Sequence, residues 1–320
     1  MRWKVWIAFL ALFAAGCLLA DWLAMSRIQQ VPSSDIVRIQ HLYQTNEGEI
    51  PMFGTSKIGS FCSPADMGLN AYNYGMTYAS YEMTDVFLQI ELAKHKNTPI
   101  IVELQHTDTG SLGDQSMFIP FVSDPRIRRL LTRFHALDWR YFVPGIRFFG
   151  YYDWILKNYL EARLGVSKTY QGYTEPVQLP PFDPAALHEA VEERLKISTG
   201  YFPNEDQNRR LIAHITQHPG RLFFLVVAPY HPSYYEHFQN EDKFEEYKAQ
   251  LAGYTNVVVL DWGRMKYPAD AFNDTLHLRQ MYARDYSRKL GDKIREVLHQ
   301  RNEQFPPEKA PSPTSAGRGT

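Results

Sequence analysis

Short apolar runs alternate with stretches of helical periodicity along most of this chain, and that alternation limits the fold more than any other feature. Ile50–Gly54, Asn70–Tyr74, Pro99–Leu104, Leu222–Ala228 and Val257–Asp261 read as five buried strands. Between and after them lie amphipathic stretches at 77–94, 206–217, 243–251 and about 279–299, and a short helix is expected over 35–43. Strands alternating with helices predict an α/β fold: a doubly wound, three-layer parallel sheet with helices on both faces. In such sheets a site forms in the loops at the carboxyl ends of the strands.

The alternation is bounded at the N-terminus by Val5–Met25, an apolar run whose only charge is Asp21. About 20 apolar residues span a bilayer as a helix, and Arg2 and Lys4 in front of the run favour a cytoplasmic N-terminus. We therefore expect residues 1–27 to be a membrane anchor in the inner membrane, with the α/β domain, 28–302, in the periplasm or outside the cell. A cleaved signal peptide and lipidation at Cys17 are the alternatives. Cys62 is the only other cysteine, which excludes a disulfide framework or a cysteine metal site. A net charge of −1 gives no electrostatic support for nucleic-acid binding. The last residues, 303–320, are rich in Pro, Ser and Gly and are expected to be disordered.

From about 107 to 205 the alternation stops. So long a connection is expected to be a functional insertion. It holds Phe118-Ile-Pro-Phe121, Tyr141-Phe-Val-Pro144 and Phe148–Trp154, and reads as a partly helical cap with its own aromatic core, or as a membrane-facing or acyl-chain-binding surface.

Two segments carry chemistry. Ser56 follows the first strand in Gly54-Thr-Ser56, on a turn into a helix, where backbone amides favour an oxyanion; a plain helix cap is the bland reading. Asp274-Thr-Leu-His277 follows the last strand and supplies a base with a carboxylate three residues away. Ser56, His277 and Asp274 are the three groups a serine acyl-transfer enzyme needs. Other candidates weigh less. Glu103, His106 and His231 lie at strand ends, where they could contact substrate or serve the fold. His214 and His218 have metal-ligand spacing but no third partner, so no metal and no cofactor is expected.

These blocks resemble those of the SGNH (GDSL-like) hydrolase superfamily, over roughly residues 48–105 and 222–298. The resemblance implies that Gly75 lends its amide to an oxyanion hole. It also implies that Gln105 stands in register with the family's usual Gly-x-Asn-Asp asparagine, which this chain lacks. With the anchor, the layout is most similar to D-alanyl transfer proteins of the Dlt type and to anchored polysaccharide O-acetylation proteins. That implies O-acyl transfer, acetyl or D-alanyl, onto an envelope polysaccharide or polymer beside a membrane-bound O-acyltransferase. An SGNH esterase or deacylase, and a non-catalytic partner of the acyltransferase, remain the alternatives.

Overall fold

The computed structural model describes residues 2–28, 35–77, 80–106, 112–113, 115–143, 169–174, 184–197 and 205–301. In chain order the helices are α1 (Arg2–Ile28), α2 (Asp35–Leu42), α3 (Ser56–Phe61), α4 (Pro64–Met67), α5 (Tyr81–Leu92), α6 (Pro125–Arg133), α7 (Pro184–Ile197), α8 (Glu205–Gln217), α9 (Pro232–Tyr235), α10 (Glu241–Ala252) and α11 (Gln280–Gln300). The strands are β1 (Ile50–Phe53), β2 (Ala71–Asn73), β3 (Ile100–Glu103), β4 (Thr169–Tyr170), β5 (Tyr173–Thr174), β6 (Phe223–Val227) and β7 (Val257–Asp261).

Five strands form one all-parallel sheet in the order β2-β1-β3-β6-β7. They are the five apolar runs, and they read as continuous hydrophobic stretches because both faces are covered. Alternation within each strand divides the core. Ile100, Val102, Phe223 and Leu225 face Met83, Phe87, Leu211 and Phe244 of α5, α8 and α10. Ile101, Phe224 and Val226 face Ile58, Phe61, Tyr286, Leu290 and Ile294 of α3 and α11. The molecule is thus α/β with three layers.

The strand order reverses between β1 and β3, the switch point at which loops splay apart and leave a crevice. β1 leads straight into α3, whose N-cap is Thr55; its side chain accepts from the Lys57 N–H. β2 leaves the sheet through Gly75, which passes so close to α3 that an added Cβ would stand 2.3 Å from Gly59 N. Only a residue without a side chain permits that approach.

The long 107–205 connection is described in parts. Gln115–Phe121 and Trp139–Phe142 are single 3₁₀ segments flanking α6. β4 and β5 make a hairpin whose turn residues Gln171 and Gly172 both have positive φ, as a tight twisted hairpin needs. Its Gln171 carbonyl accepts the Asn73 N–H at 2.8 Å, tying the hairpin to the end of β2. The aromatic run Phe148–Trp154 and the 303–320 tail lie outside the described residues. α1 has an apolar window, Trp3–Ala24, long and apolar enough to cross a membrane; within it Asp21 is 2% exposed.

Candidate active site

Ser56 is the first residue of α3, set at the carboxyl end of β1 and half-buried. First-turn amides of a helix have no acceptor within it and present partial positive charge outward. The Lys57 amide is used by Thr55 Oγ1 at 3.2 Å, and no bond from the Ser56 N–H occurs among the described residues.

The imidazole reaches Ser56 by a longer route than the sequence suggests. β7 is an edge strand, three positions from β1 with β3 and β6 between them, or about 14 Å at ordinary strand spacing. Both strands end on the same edge of the all-parallel sheet but are not neighbours. The 262–279 connection runs back across the sheet end, held down by buried Tyr267, Ala271, Phe272 and Leu278. Its far end closes into a narrow loop. Phe272 pairs with Leu278 in an antiparallel bridge, Asn273 N–H donates to the His277 carbonyl at 2.6 Å, and Arg279 N–H to that of Ala271 at 2.8 Å.

Asp274 organises this loop and its ring together. Oδ1 accepts the N–H groups of Leu276 and His277, both at 2.7 Å, and Oδ2 lies 2.6 Å from His277 Nδ1. Nε2 of the same ring stands 2.7 Å from Ser56 Oγ, across 221 residues of sequence. Phe61 meets the ring edge-on at 6.4 Å between centroids. Burial pushes the Asp274 carboxyl up, but the His277 ring and the two amides outweigh it and hold it below the usual carboxylate range. An ionised carboxylate on Nδ1 fixes the ring with its proton there, leaving Nε2 as a base toward the hydroxyl.

Other residues singled out from the sequence fall elsewhere. Gly75 lies beside α3, but its N–H donates to Asn73 Oδ1 at 2.8 Å, so the amide expected to serve an oxyanion is committed to the fold. Gln105 is buried just past β3, with its backbone N–H on the Tyr81 hydroxyl at 3.3 Å. Glu103 is enclosed and turned toward Thr55 and Lys57 of the Ser56 turn. His106 is buried, stacked on Phe238 at 4.3 Å, and burial pulls its pKa down to about 4. His231 is buried too; its Nδ1 accepts from Ser233 N–H at 3.2 Å, capping α9, and burial lowers its pKa against the pull of Asp274 and Glu236. His214 pairs with Asp85 at 2.7 Å, and His218 Nδ1 bonds to the His214 carbonyl at 2.9 Å. No cluster of three His, Cys, Asp or Glu able to hold a metal occurs among the described residues.

Sequence reasoning missed Asn73 and Lys57. Asn73 Nδ2 donates to the carbonyls of Ile58 and Cys62 at 2.7 and 2.8 Å while Oδ1 holds Gly75, so one buried amide staples α3 to the exit of β2. An asparagine ending an apolar strand was the available signal. Val191 of α7, flanked by Leu187 and Leu195, clusters with Tyr230, Tyr234 and Leu276, the neighbour of His277 in sequence.

A search of protein-family models found no match, and no curated protein aligns with the chain at a significant level.

Proposed function

We propose that this chain is a membrane-tethered serine acyl-transfer enzyme of SGNH-like type. The observation that carries the reading is the continuous hydrogen-bond chain from Ser56 Oγ through His277 to Asp274 Oδ2. A helix cap needs no imidazole, and a surface histidine needs no carboxylate on its far nitrogen.

In this reading Ser56 Oγ attacks an acyl carbonyl while its proton passes to His277 Nε2. The carbonyl π pair moves onto oxygen, which the Ser56 amide and the start of α3 stabilise. The oxyanion then collapses, expelling the donor's oxygen with the proton from His277 and leaving an ester on Ser56. An acceptor hydroxyl, deprotonated by His277, releases the acyl group. With α1 as a single-pass anchor in the inner membrane, that acceptor is an envelope polysaccharide or polymer, and a membrane-bound O-acyltransferase is the partner that supplies acyl groups.

The commitment of Gly75 to Asn73 leaves fewer oxyanion donors, which favours one second reading: a non-catalytic partner of that acyltransferase. One experiment separates the two. Full-length protein in detergent is treated with a fluorophosphonate, and the adduct is located by mass spectrometry. The enzyme reading expects phosphonylation of Ser56, lost in Ser56→Ala and His277→Ala. A folded wild type that stays unlabelled removes it.

A further inference from the structure

Beneath the Ser56 turn lies a buried ion pair that the triad does not use. Glu103 ends β3, and its side chain is 0% exposed. Its Oε2 accepts the Thr55 N–H at 2.7 Å and the Thr55 hydroxyl at 2.8 Å. Its Oε1 lies 2.9 Å from Nζ of Lys57, which is 4% exposed. Lys57 Nζ also stands 3.5 Å from the centre of the Tyr230 ring, just past β6. Gly54 makes room, since a Cβ there would come within 2.6 Å of Glu103 Oε2.

The residues immediately before and after Ser56 are therefore gripped by one carboxylate. The Thr55 hydroxyl donates to Glu103 and accepts from the Lys57 amide, so its capping lone pair is aimed by the carboxylate behind it. Enclosing a carboxylate and an ammonium is expensive, and a hydrophobic pair of similar volume often holds a fold together as well. Stability alone does not account for this pair. Its place does, because an unneutralised carboxylate here would oppose negative charge developing on an acyl oxygen at Ser56.

We propose that Glu103 and Lys57 are positioning residues for the nucleophile. Glu103 clamps the turn that presents Ser56. Lys57 cancels the charge of the clamp, so that it can stand behind an oxyanion without repelling it. This rests on the serine acyl-transfer reading and deepens it.

The test uses full-length protein carrying Lys57→Met, Glu103→Gln or both. Fluorophosphonate labelling rates are measured per folded molecule, with thermal unfolding to fix the folded fraction, and amide exchange is followed in the 50–60 peptide. Lys57→Met is expected to slow labelling about 10- to 100-fold, the scale of a misplaced catalytic group. The double substitution is expected to label faster than Lys57→Met, because the unpaired charge is gone, but slower than wild type, because the clamp is gone with it. Glu103→Gln is expected to speed exchange at the Thr55 amide. Equal rates per folded molecule in Lys57→Met and wild type would overturn the charge-cancelling role, and unchanged exchange in Glu103→Gln would overturn the clamp. An unlabelled wild type instead sinks the acyl-transfer reading; exchange still tells whether the clamp exists, as a device of the fold alone.

Discussion

Asp274 and His106 show how differently two titratable side chains can be used a short distance from the same sheet edge. Asp274 is held ionised by an imidazole and two amides. The role proposed for it predicts that Asp274→Asn keeps the loop folded but lowers the labelling rate of Ser56 by a factor on the order of 10³, because an amide there selects the wrong ring tautomer. His106 is kept neutral by burial, with Lys57 and Lys248 adding to the depression and Glu241 opposing it. A base whose folded pKa is depressed contributes stability that is present above its unfolded value, near 6.5, and lost as pH falls toward the folded value. The thermal midpoint should therefore decline between pH 6.5 and about 4. Replacing His106 with Phe, which can keep the stack on Phe238, should flatten that decline; an unaltered slope in differential scanning calorimetry would count against this assignment.

At the scale of elements, the fit of α3 against the exit of β2 decides whether Ser56 is presented at all. Gly75→Ala puts a methyl against Gly59 N and the Thr55 carbonyl, so α3 must move. Overpacking of this kind costs about 1–3 kcal/mol, and labelling of Ser56 should drop further than the stability loss explains. Asn73→Ala leaves two carbonyls and an amide without the partner they have now, and should cost on the order of 3 kcal/mol in urea titration. The sequence made β1, β3, β6, β7 and α11 legible because burial on both sheet faces and helical periodicity leave a direct imprint on residue order. The meeting of Ser56, Asp274 and His277 was legible because each sits in a turn between a strand and a helix, where such side chains gather at a sheet end. The Gly75 amide was misjudged, and Asn73 and Lys57 were overlooked, because their partners lie on other elements. The crossing of the 262–279 loop over β3 and β6 was hidden for the same reason: strand order is a property of pairing, and no single segment encodes it.

Over the whole molecule, α1 is joined to α2 through residues 29–34 alone. Six residues reach at most about 20 Å when fully extended, so an anchored domain would stay within that distance of the bilayer. Full-length protein is expected to remain with membranes through alkaline carbonate extraction, while a chain lacking residues 1–28 is expected in the supernatant. Recovery of the truncated chain in the membrane fraction would mean that some other surface holds it there. The same long view bears on timing. Ser56 emerges from the ribosome early, and His277, the imidazole it meets in the fold, follows 221 residues later. A nascent chain thus carries Ser56 without the imidazole that the fold sets beside it. On the proposed acyl-transfer reading, reactivity waits until the last strand, its returning loop and α11 have docked, so chain order itself would prevent premature capture of acyl groups during synthesis.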